Sequence, residues 1–178
     1  MFGINIKPVH TLYTAILALT AEPLLGEEKC DVLGSLQADP MAVAEPVNFS
    51  NIEPIALIAA CDSVWHSGSN SEARHILYRA RGYLRLGESS KAIAEIKRSH
   101  EMGYPAATFA LATEYFLGDD VQQNHAKAEV LFFQAYNKGV FWAARGLSSI
   151  YSDEFSDLFD EQKASEWASK FDAEMKKD

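Results

Sequence analysis

The chain has 178 residues, 48% hydrophobic and 23% charged, a balance that supports a buried core in one domain or a short stack of repeats and argues against global disorder. With 16 Lys+Arg against 25 Asp+Glu the formal net charge is −9, which argues against a duplex nucleic-acid binder with its usual basic footprint. No apolar run reaches the ~18–20 residues that a mature membrane-spanning helix needs.

The opening segment, MFGINIKPVHTLYTAILALTAEP, carries Lys7 and no acid ahead of an apolar stretch at residues 11–21, followed by Glu22 and Pro23. A positive start, an apolar centre and a small residue before a polar turn are the parts of a secretory leader. A signal peptide is therefore expected at residues 1–21, cut after Ala21, and the mature protein is expected in the periplasm or outside the cell. The alternative is an uncleaved amphipathic helix on a cytoplasmic protein. Cys30 and Cys61 are the only two cysteines. An even count in an exported chain suggests a bridge, worth roughly 3–4 kcal/mol for a loop of this size. Two buried thiols are the cytosolic alternative. Neither CxxC nor a Cys/His zinc spacing occurs, and none of the five histidines pairs at i, i+4, so no metal or cofactor is expected.

Residues 39–54, DPMAVAEPVNFSNIEP, hold three of the six prolines and no helical period, and read as a loop between helices at about 27–36 and 54–65. Residues 22–71 thus form an N-terminal helical hairpin, which the Cys30–Cys61 bridge would staple. Asn48-Phe49-Ser50 matches a glycosylation acceptor and is taken as incidental. Beyond the Gly/Ser/Asn break at 66–71 no stretch alternates like a strand. Gly87, Gly103, Gly118 and Gly139 mark where helices stop.

Ala80, Ala112 and Ser148 recur at separations of 32 and 36 residues, each with a tyrosine three residues on: Tyr83, Tyr115 and Tyr151. The second unit reads Leu111, Ala112, Tyr115, Gly118, Val121, Asn124, Lys127, Ala128, and the third Leu147, Ser148, Tyr151, Asp160, Lys163, Ala164. These residues resemble the Sel-one-like repeat, a relative of the tetratricopeptide repeat with the pattern L-G-x-x-Y-x-x-G-x-G-V-x-x-D-x-x-K-A. The resemblance implies an all-α fold, an α/α superhelix or short solenoid of about three helix-turn-helix repeats behind the N-terminal hairpin. Its units would span residues 72–104 (tetratricopeptide-like), 105–140 (Sel-one-like) and 141–178 (degenerate, with a C-terminal cap). The small residue lets two helices touch, the Tyr fills the gap between neighbours, and the Lys-Ala pair opens the packing face of the second helix. The chain departs from the pattern at Arg79, where Leu is usual, and at Glu154 and Asp157, where Gly and Val are usual. The upstream region around Cys30 and Cys61 is similar to one found ahead of such repeats in exported alphaproteobacterial proteins.

No phosphate loop, dinucleotide fingerprint, zincin helix or nucleophile elbow occurs, so no catalytic residue is expected. The acidic run at 152–161 lacks a calcium ligand ladder and reads as a solvated loop. By the resemblance, an inner groove would be lined by Arg74, Leu77, Arg81 and Leu84, with Arg85 beside them. The second unit would add Ala106, Phe109, Thr113 and Phe116, and the third Trp142, Arg145, Ser149 and Ser152. Arginines among aromatic anchors suit a peptide carrying carboxylates. The expected function is a non-catalytic protein–protein interaction module of the bacterial envelope: a scaffold, assembly factor or regulator whose partner is another protein or peptide. The alternative is an envelope enzyme or small-ligand protein like the disulfide-rich repeat proteins linked to penicillin binding and β-lactam hydrolysis.

Overall fold

The computed structural model describes residues 26–64 and 72–177, so the expected leader at 1–21 and the break at 66–71 lie outside the described residues. Within them the chain forms eight α-helices, one 3-10 turn (Phe49–Asn51) and no strand. They are α1 (Gly26–Gly34), α2 (Pro54–Val64), α3 (Glu72–Leu86), α4 (Ser89–Glu101), α5 (Pro105–Leu117), α6 (His125–Asn137), α7 (Trp142–Ser152) and α8 (Glu161–Met175). None of these helices is long and apolar enough to cross a membrane.

Local chemistry places the helix ends. Pro105 opens α5, where its missing N–H costs nothing, and the side chains of Asn124 and Asp160 accept the backbone N–H of Lys127 and Lys163 to cap α6 and α8. Between consecutive helices from α3 to α7 the chain turns on Gly87, Gly103, Gly118 and Gly139, all at positive φ between 75° and 93°. That left-handed conformation is open to glycine without the steric cost that a Cβ imposes.

The helices pack as successive pairs, α3 on α4, α5 on α6 and α7 on α8, each pair against the next. The first helices converge, the α3 backbone nearing α5 and that of α5 nearing α7, whereas the backbones of α4 and α6, like those of α6 and α8, stay apart, with Phe133 and Tyr136 of α6 reaching Trp167 of α8 by their rings. The stack therefore curves with α3, α5 and α7 on its inner face, an α/α solenoid. The N-terminal hairpin joins the same stack, with α2 and α1 both against α3. The Cys30–Cys61 bridge expected from the cysteine count is present and ties α1 to α2, with Cα atoms 4.8 Å apart.

One set of contacts recurs in all three pairs. The carbonyls of Tyr83, Tyr115 and Tyr151 accept the N–H of Glu88, Asn124 and Asp160 at 2.9, 2.8 and 2.9 Å, closing the pair at its turn. The ammonium groups of Lys91, Lys127 and Lys163 lie over those same rings at 5.4, 5.2 and 5.0 Å from their centres. Ala80, Ala92, Ala112 and Ala128 are fully buried, and the Ser148 hydroxyl donates to the Ala164 carbonyl at 2.9 Å. Small residues at these positions let the paired helices approach closely. Gly146 serves the next interface, where an added Cβ would lie 2.6 Å from the Phe132 ring.

The departures from the repeat pattern have physical accounts. Arg79 occupies the buried position held by Leu111 and Leu147, and it is compensated there by Asp62 of α2 at 2.6 Å and Glu95 of α4 at 2.7 Å. In the third pair the Asp153 carboxylate accepts the N–H of Phe155 and the Ser156 hydroxyl accepts that of Leu158, turning the chain without a glycine.

Candidate functional site: the cleft between α3 and α5

The inner face is partly covered by the protein's own chain. Residues 35–47, between α1 and α2, cross it and are fixed there by side chains of α3 and by Tyr104, which caps the start of α5. Arg81 is the main anchor. Its guanidinium donates to the carbonyls of Gly34 and Ser35 at 2.6 Å each and of Val47 at 2.8 Å. Gly34 and Ser35 end α1, so a cation meets the electron-rich end of that helix and satisfies carbonyls with no partner inside it. Burial, without a facing carboxylate, pushes the Arg81 guanidinium down to about 10, still fully charged at neutral pH.

Asp39 is the second anchor. Its carboxylate accepts the hydroxyls of Tyr78 at 2.8 Å and Tyr104 at 2.6 Å. Burial first, and Asp39 next, hold both phenols well above the ordinary value of 10.0. A group whose pKa is raised by folding contributes stability that is complete below its unfolded pKa and is lost as pH rises beyond it. Alkaline titration is thus expected to release tyrosinate absorbance from Tyr78 and Tyr104 together with loss of helical circular dichroism. The double variant Tyr78→Phe/Tyr104→Phe should lack that coincident step. Ionisation of these two phenols with the helices intact would contradict the arrangement.

Several residues expected in the groove are committed elsewhere. Arg74 forms a two-pronged pair with Asp31 of α1 at 2.7 and 2.8 Å, and His75 also meets Asp31, at 3.1 Å. Arg74 and Arg81 therefore tie the hairpin to α3, as follows from α1 packing directly on α3. Trp142 lies edge-on to Phe171 of α8 and Arg145 lies 5.7 Å over the same ring, so both turn toward the end of the stack. Phe116 packs against His125 at the start of α6, 5.5 Å between ring centres. Ser149 is half-buried on α7, Ala106 is buried and Ser152 is exposed.

What stays open is a cleft of about 360 Å³ between α3 and α5. Leu77, Arg81 and Leu84 of α3 line one wall, and Phe109, Ala110, Thr113 and Glu114 of α5 line the other. Leu36 and Phe49 close one side from the N-terminal loop, and Ile96 of α4 contributes to the lining. Arg85 is exposed at the rim, its guanidinium 5.7 Å over the Phe49 ring. Of the groove set, five residues thus share one cavity: Leu77, Arg81, Leu84, Phe109 and Thr113. Reading along the chain missed Glu114, Leu36 and Phe49. The signal for Glu114 was available, as a carboxylate two residues after the small residue of its unit. Leu36 and Phe49 carry none, because only the path of the loop brings them here.

No protein-family model and no curated protein matches the chain. Among solved structures the chain is similar to a Sel1 repeat protein from Oxalobacter formigenes, with 19% identity over 68% of this chain and 59% of that one, at a TM-score of 0.43. The chain thus spans less than two thirds of the length of that structure.

Proposed function

We propose that this protein is a non-catalytic binding module for another polypeptide, and that the cleft between α3 and α5 holds a segment of the partner. The observation that carries the reading is an open, mainly apolar cleft on an inner face partly covered by the protein's own loop. A water-filled apolar recess on a rigid helical frame gains free energy when a side chain enters it. The buried Cys30–Cys61 bridge supports a role in the periplasm or outside the cell, as a scaffold, assembly factor or regulator. The committed arginines redirect the expected chemistry: three of the four arginines expected in the groove already have acceptors, so the partner is recognised chiefly through apolar contact.

Selection of a random displayed-peptide library on the folded protein tests this. Enriched peptides are expected to bind tenfold or more weakly to Leu84→Lys and to Thr113→Trp, which charges or fills the cleft, and equally well to Arg145→Glu. Failure to enrich any peptide, or peptides indifferent to both cleft variants, would overturn the proposal.

A further inference from the structure

The cleft contains one carboxylate, at a place where the other helix pairs have none. Glu114 lies two residues after Ala112, and its counterparts are Gly82 after Ala80 and Ile150 after Ser148. Gly82 is buried against α2, where an added Cβ would lie 2.8 Å from the Ile58 side chain. Ile150 is fully buried. In the first and third pairs this position is thus buried, and in the second it lines the cleft instead. Among the described residues the Glu114 side chain has no hydrogen bond and no ion pair. Burial, then Asp120 and Asp119, raise its pKa, as expected of a carboxylate that lacks a cation. The other charge in the wall, Arg81, is turned to three carbonyls of the chain itself.

We propose that Glu114 selects the partner: the cleft takes a segment carrying a Lys or Arg next to an apolar side chain, the apolar group against Leu77, Leu84 and Phe109 and the cation on Glu114. This deepens, and rests on, the reading of the cleft as a polypeptide site. An incoming cation favours the ionised carboxylate and supplies the missing partner, and the exposed Asp119 and Asp120 favour its approach. A half-buried, unpaired carboxylate at a packing position does not help folding, so its presence fits a binding role.

Fluorescence anisotropy with a defined peptide set tests the assignment. Each peptide carries one Leu or Phe, followed within four positions by Lys, Gln or Glu, and is titrated against the wild type, Glu114→Gln, Glu114→Lys and Thr113→Trp. The wild type is expected to prefer the Lys peptides over the Glu peptides by about tenfold. Glu114→Gln should flatten that preference and Glu114→Lys should invert it, while Thr113→Trp weakens all three peptides. Peptides blocked by Thr113→Trp but ranked identically by every form of residue 114 would overturn the role of Glu114 and leave the cleft reading standing. Peptides that Thr113→Trp does not block would overturn the cleft reading itself. Thermal melting separates selection from structure. Glu114→Leu should melt at or above the wild-type temperature, and a lower melting point would assign Glu114 a structural role and sink the proposal.

Discussion

Replacing Arg81 by leucine is expected to cost about 3 kcal/mol of stability and to free residues 35–47 from the inner face. Two effects oppose each other. Removing the guanidinium relieves the burial of a charge that has no carboxylate opposite it, which on its own would favour the variant. It also strips the guanidinium from the carbonyls of Gly34, Ser35 and Val47; Ser35 keeps the Val47 N–H, and each carbonyl left dry costs about 1–3 kcal/mol. Loss of the donor to the Gly34 and Val47 carbonyls outweighs relief of one desolvated charge, and leucine cannot bridge two elements 34 to 47 residues away in sequence. Arg81→Lys should fall between the two, because one ammonium keeps the charge but does not span three carbonyls. Urea unfolding gives the stability, and amide exchange at Val47, whose N–H bonds to the Ser35 carbonyl, reports the loop. A loss under about 1 kcal/mol, with Val47 protection unchanged, would mean that apolar contacts of Leu36 and Val47 hold the segment without Arg81.

The repeat frame was legible because its determinants are local and chemically distinctive. Gly87, Gly103, Gly118 and Gly139 read as stops since a positive φ selects glycine, and each adopts one. Tyr83, Tyr115 and Tyr151 announced themselves by spacing, and their lysine neighbours followed at the Lys-Ala pairs. The groove was less legible for a physical reason. Arg81 is held by backbone carbonyls, and a carbonyl has no side-chain signature, so nothing along the chain reveals that the donor is taken. Asp31 and Asp39 were visible as acids, but in a chain with 25 carboxylates their pairing with Arg74, Tyr78 and Tyr104 depends on the route of a loop rather than on periodicity. Trp142 and Arg145 were assigned to the groove by register, and their contact with Phe171 depends on the packing of α8 against α7.

Removing the bridge, by Cys30→Ala with Cys61→Ala, is expected to cost about 3–4 kcal/mol, equivalent to about 10 °C in melting temperature. The half-cystines are 31 residues apart, so the link restricts a sizeable loop of the unfolded chain, and both sulfur-bearing residues are buried, so small cavities add to the loss. The bridge also shares its target with Arg81: both hold α1, one to α2 and the other to α3. Two ties on one helix are not independent. With either tie removed α1 remains docked by the other and by the Arg74–Asp31 pair; with both removed it is expected to leave the stack before α3–α8 unfolds. The triple variant should therefore lose less global stability than the sum of the separate losses, while amide protection across α1 disappears well below the main transition. Strict additivity, with α1 protected up to that transition, would show instead that the hairpin and the helix pairs unfold as one unit, and that α1 belongs to the cooperative core rather than to a stapled cover on it.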